Sequence, residues 1–173
     1  MKKILSIILL SILIFGCEKD DICDPTTATT PRIILEFYNF SQQSMLKNIS
    51  NLNVTGIGSI IAPKDYITGT KIELPLKISD GIANDVPETV SYKLQLNSTI
   101  PASSNEDVVT FNYTKNTIYV SRACGYKTTF NLLSNGTEFI ITDPLADGNW
   151  IKGYEIETRI INNENETHIK IYF

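Results

Sequence analysis

The sequence predicts an all-β protein: an antiparallel β-sandwich, immunoglobulin-like or Greek-key, of nine or ten short strands. Three observations predict it. Apolar residues recur with a period of two from Arg32 onward, turn-forming residues separate the runs, and no stretch sustains a helical period. A small closed β-barrel is the alternative, because alternation marks one buried face in either architecture.

Ile33, Leu35 and Phe37 alternate with Arg32, Ile34, Glu36 and Tyr38, which predicts a first strand with one buried face. Ser41 to Ser50 places Met45, Leu46 and Ile49 at helical spacing, so a single helical turn competes with a strand there. Ile72, Leu74, Leu76 and Ile78 alternate with Lys71, Glu73, Pro75 and Lys77. Pro75 has no N–H for a ladder, which suits an edge strand or a bulge. Val90, Tyr92, Leu94 and Leu96 form the next run. Val109, Phe111 and Tyr113 share a face of a strand over 107–114, and Lys115-Asn116 reads as its turn to a partner over 117–122.

Tyr126, Thr128, Phe130 and Leu132 lead to Asn135-Gly136, a pair that tolerates positive φ and reads as a tight hairpin turn. Tyr154, Ile156, Thr158 and Ile160 alternate through a strand over 151–161. Asn162 to Asn165 then reads as the turn of a last hairpin, to Ile169, Ile171 and Phe173. Asp80-Gly81 and Asp147-Gly148-Asn149 read as longer loops.

The 173 residues suit one domain with a tail, and 42% apolar against 20% charged residues argues against wholesale disorder. Fifteen Lys and Arg against 19 Asp and Glu give a net charge of −4. That balance disfavours a sequence-independent nucleic-acid binder, which needs a basic face. One His and three Cys leave little material for a zinc site.

The N-terminus reads as an address. Lys2 and Lys3 precede an apolar run from Ile4 to Phe15. Twelve helical residues span about 18 Å, short of the roughly 30 Å hydrocarbon core, so the run reads as a secretory signal. It closes on Ile14-Phe15-Gly16-Cys17, which resembles the bacterial lipoprotein lipobox; Phe15 is bulkier than usual at its place in that motif. The resemblance implies cleavage after Gly16 and acylation of Cys17, with palmitate-like chains as the membrane anchor. The chain then divides into a signal at 1–16, an anchor and Thr-rich linker at 17–31, and a β domain at 32–173. Losing two lysines and no acids leaves 13 Lys and Arg against 19 acids, a mature charge of −6. One acyl chain holds a protein marginally and two or three hold it stably. Lys19, Asp20 and Asp21 follow Cys17, in a pattern similar to the surface-export signal of Bacteroidota lipoproteins. That similarity implies display on the outer face of the outer membrane; a solvated charged tether is the alternative.

With Cys17 acylated, Cys23 and Cys124 remain, and an even remainder in an oxidising compartment suggests one disulfide. Two separate thiols are the competing reading. The stretches Asp21-Ile22-Cys23-Asp24-Pro25 and Ser121-Arg122-Ala123-Cys124-Gly125, with the strand from Pro31 to Phe37, are similar to a family of small Bacteroidota envelope lipoproteins of uncharacterised function. The resemblance supports both the anchor and the disulfide and carries no catalytic residue.

Candidate chemistry is sparse. A Cys124–His168 nucleophile lacks a visible orienting group, and His168 alternates onto the face with Lys170 and Tyr172, which reads as outward. Asp143, Asp147 and Asn149 offer oxygen ligands without calcium-loop spacing and fit a turn better. Trp150 follows a loop and could stack on a sugar, though a core Trp is the commoner case. The expectation is a protein without catalytic residues, metal or cofactor, anchored to a membrane through its lipid. It would bind another envelope protein as an accessory module; a surface glycan-binding module centred on Trp150 is the alternative.

Overall fold

The computed structural model describes residues 22–27, 29–58, 64–79 and 83–173. The chain divides into two compact units. Unit 1 comprises Met1–Thr27, described from residue 22, with Tyr119–Tyr126; unit 2 comprises Ala28–Ile118 and Lys127–Phe173. The signal at 1–16, Cys17, Lys19, Asp20 and Asp21 lie outside the described residues, as does the Asp80-Gly81 loop.

The described residues form twelve strands and no α-helix, with a single 3-10 turn at Pro101–Ser103. In order they are β1 (Ile33–Asn39), β2 (Gln42–Leu46), β3 (Ile49–Gly56), β4 (Lys64–Gly69), β5 (Lys71–Leu74) and β6 (Pro87–Leu96). They continue as β7 (Asn105–Ser121), β8 (Gly125–Leu132), β9 (Phe139–Thr142), β10 (Gly153–Ile156), β11 (Ile160–Ile161) and β12 (Ile169–Tyr172). One sheet runs β10-β12-β1-β2, with β5 also on β1; the other runs β11-β8-β7-β6-β3-β4, with β9 also on β7. The curled sheets half-close as a barrel and pack as a sandwich, which accords with the all-β expectation.

In unit 2 a single apolar core takes Ile33, Leu35 and Phe37 from β1, Leu52 from β3, Leu94 from β6, Val109 and Phe111 from β7, and Ile169 and Ile171 from β12. These are the inward positions of the alternating runs, where the pleat sends every second side chain to one face. Ile34 is buried as well. Its strand is flanked by β5 on one side and by β12 on the other, and the β12 pairing is parallel (Leu35↔Ile169) rather than antiparallel. Pro75 follows the last residue of β5, which pairs with β1, so its missing N–H breaks no ladder.

Several connections differ from expectation. Gln42–Leu46 is a strand rather than a helical turn, paired with β1 at Tyr38↔Leu46 and Asn39↔Gln42. Every one of its residues is exposed, so Met45 and Leu46 were spaced by chance and not by a helical core face. Lys115-Asn116 is not a turn: β7 runs unbroken through it for 17 residues. Lys115 continues the inward set of Val109, Phe111 and Tyr113, and its charge is met inside the protein.

Asn135-Gly136 is not a hairpin turn either, although Gly136 does take a positive φ of 82°. Both β8 and β9 pair with β7, and Asn112 joins them, its N–H donating to Glu138 O and its C=O accepting from Leu133 N. Residues 133–138 are therefore a loop thrown out between two segments that use one neighbour. The 151–161 run splits between sheets, β10 pairing β12 and β11 pairing β8. That change of sheet leaves Tyr154 and Ile160 exposed despite their alternation. For the same reason residues 162–165 do not close a hairpin: β11 and β12 lie in different sheets.

Candidate functional site

The oxidised cysteine pair lies in unit 1. Cys23 and Cys124 are bonded, with Cα atoms 4.8 Å apart, so the N-terminal segment is stapled to the turn between β7 and β8. Local chemistry shapes both partners. Asp24 Oδ1 accepts from the Thr26 N–H at 2.8 Å and from its hydroxyl at 2.7 Å, and these bonds hold the Asp24 carboxyl below its usual range. On the hairpin, Ser121 Oγ accepts from Cys124 N at 3.0 Å, closing the turn with a side chain. Gly125 has φ +70°, and nothing lies within 4 Å of where its Cβ would be. The backbone conformation, not crowding, therefore calls for glycine there.

Beside the cystine, the Tyr119 and Tyr126 rings meet edge to face, with centroids 5.3 Å apart. Both are exposed, at 55% and 62%, as are Val120, Arg122 and Ile22. Tyr126 heads the alternating run with Thr128, Phe130 and Leu132 yet is exposed where they are buried, while Ile22, Tyr119 and Val120 belong to no alternating run read from the sequence.

The other sequence candidates serve the fold of unit 2. Trp150 is buried at 7% exposure, not a stacking platform: its Nε1–H donates to Leu94 O at 3.0 Å, and its ring packs on Phe37 and Phe173. The ring fills the core because its one polar atom finds a carbonyl there. His168 is fully buried, not outward. Its Nδ1 accepts from Ile34 N at 2.9 Å, just before the parallel pairing of β1 with β12 begins, so the imidazole stands in for a backbone carbonyl. Burial pushes its pKa down, while Glu166 and Glu164 oppose. Cys124 is held as a disulfide, so it offers no thiolate. Asp143 accepts from Leu145 N and Gly148 N, the second bond chiefly holding its carboxyl below the usual range; it makes the turn.

Among the described residues, Lys115 and Asp107 are buried polar groups that the sequence reading missed. Lys115 Nζ lies 3.0 Å from Glu88 Oε1 and donates to Ser79 O at 2.7 Å, while Ser79 Oγ donates to Glu88 Oε1 at 2.7 Å. Its place in the apolar face of β7 was the signal. Asp107, fully buried, accepts from Ile151 N at 2.8 Å, and burial raises its pKa. It anchors the backbone that delivers Trp150 to the core. An open groove of about 570 Å³ beside Leu76, Val90 and Tyr92 has Lys77 as its charged lining residue among those described.

A family model described as a family of unknown function, DUF6452, matches residues 51–173. The chain belongs to the DUF6452 family. The matched span runs from within β3 to the end of β12. It includes Lys115, Cys124, Trp150 and His168, and leaves out β1, β2 and Cys23. No curated protein and no solved structure matches this DUF6452 chain.

Proposed function

We propose that this DUF6452 chain is a Bacteroidota lipoprotein, acylated at Cys17 and displayed on the outer face of the outer membrane. Its β domain acts there as a non-catalytic, protein-binding accessory module of an envelope assembly. The carrying observation is the Cys23–Cys124 disulfide, whose Cys23 lies only six residues beyond Cys17. Disulfides persist in oxidising compartments, which fits export, and this one ties the domain to the segment next to the anchor. The two thiol-enzyme candidates are also committed elsewhere, Cys124 to the bond and the His168 Nδ1 to Ile34.

A tagged pull-down from gently solubilised membranes, read by quantitative mass spectrometry, tests the accessory role. A stoichiometric envelope protein is the expected result; its absence across detergents overturns that role. Cys17→Ala is expected to release the protein from membranes, and retention would remove the anchor reading. Changing Lys19, Asp20 and Asp21 together to Ala is expected to abolish protease accessibility on intact cells. Unchanged accessibility would reduce that charge run to a tether.

A further inference from the structure

We propose that unit 1 is a membrane-contact surface, in which the paired Tyr119 and Tyr126 rings, with Ile22 next to the cystine, rest in the headgroup–acyl boundary of the bilayer that holds the Cys17 lipid. The proposal rests on the anchor reading above and adds which surface of the protein meets the membrane. Three observations carry it.

The first is reach. Cys23 is six residues from Cys17, so their Cα atoms can be at most about 21 Å apart, at roughly 3.5 Å per residue. Cys124 is then 4.8 Å further. Without the bond, the first residue of β1 is 16 residues from Cys17, a slack of up to about 56 Å. The disulfide therefore keeps the β7–β8 turn close to the anchor. The second is composition. Ile22, next to Cys23 of the cystine, is 83% exposed, and the paired Tyr119 and Tyr126 rings are open to solvent. Tyrosine favours the bilayer interface, where its ring meets hydrocarbon and its hydroxyl meets water. The third is charge. In the sequence from 18 to 25, Glu18, Asp20, Asp21 and Asp24 outnumber Lys19, so attraction to anionic lipid does not drive the contact. Apolar and aromatic burial drives it, and the tether raises the effective concentration enough to populate a contact too weak for the free protein.

The test uses the full, acylated chain carrying Tyr126→Trp, reconstituted into phosphatidylcholine vesicles with or without lipid brominated along its acyl chains. The unchanged protein, whose Trp150 is enclosed in the core, supplies the baseline. Bromine is expected to remove about half of the added emission, because an interfacial ring lies within contact of the upper acyl chain. Emission unchanged by bromine, in protein that floats with the vesicles and carries acyl mass on Cys17, overturns the membrane contact and leaves the anchor reading standing. Protein that lacks acyl mass and does not float overturns both. A Cys23→Ser, Cys124→Ser pair placed in the Tyr126→Trp chain is expected to lose most of the quenching. Full quenching in that variant would overturn the role given to the disulfide.

Discussion

Lys115 and His168 are both buried basic side chains, one on β7 and one just before β12, and they meet burial in opposite ways. Lys115 carries its charge inside and is met by Glu88 and by both oxygens of Ser79. Burial pushes the Glu88 carboxyl up, but Ser79 and Lys115 outweigh it and hold the group below its usual range. His168 instead gives up charge. Its Nδ1 accepts from Ile34 N, which requires the neutral ring, and Nε2 has no partner among the described residues. An ammonium cannot be kept neutral cheaply near pH 7, because its ordinary pKa is about 10.4; an imidazole, at about 6.5, can. The choice of residue thus decides whether a second charge must be buried with the first.

The comparison breaks most visibly at Lys115. Lys115→Met would leave Glu88 buried without its cation, and about 3–5 kcal/mol of stability is expected to be lost in urea unfolding. Adding Glu88→Gln should recover at least half, since the neutral amide still accepts from Ser79. A loss under about 1 kcal/mol for the single variant would show that the pair is not needed.

His168→Ala should cost less, about 2–3 kcal/mol, from a small cavity and an unsatisfied Ile34 N–H. His168→Asn, whose carbonyl can take the place of Nδ1, should cost less again. The same variant sharpens the pH contrast. The unfolded imidazole takes a proton near pH 6.5 while the folded one, its pKa lowered by burial, does not. Stability from this site is therefore full above about pH 6.5 and is lost as pH falls toward the lowered folded value. His168→Asn is expected to flatten the pH dependence of the unfolding midpoint below about pH 6.5. An unchanged slope would assign it to other groups. The Glu88 contribution follows at lower pH, present above the ordinary carboxylate range and lost as its depressed pKa is crossed.

The smallest effect is expected where an ion pair is open to water. Arg32 donates to Glu164 through Nε and Nη2, pulling its carboxyl down to about 2. With side chains 43% and 32% exposed, Glu164→Gln should cost under about 1 kcal/mol, seen only above the carboxylate range. A cost comparable to that of Lys115→Met would remove burial as the cause of the contrast.

Much of the β domain was legible because period two reports directly on one buried face. Ile33, Leu35 and Phe37, and likewise Val109, Phe111 and Tyr113, fall inward as read. The reading stopped one residue short at Lys115, because a lysine is normally a surface residue and only its partners from 79 and 88 make an inward place tolerable. The Cys23–Cys124 pair was legible by counting, yet the tyrosines beside it were not, since local alternation says nothing about which face a neighbour leaves uncovered.

The sequence by itself determined most of the strand-forming faces, the breaks at 135–136 and 162–165, and the two cysteines available to pair. These are local properties: alternation, positive-φ tolerance and residue identity act within a few positions of the chain. Tertiary structure alone decided that β1 lies parallel to β12, that 133–138 is thrown out beside Asn112, and that Lys115 and His168 turn inward. Each depends on a partner tens of residues away, and it is the distant carbonyl, carboxylate or N–H that makes burial of a polar atom affordable.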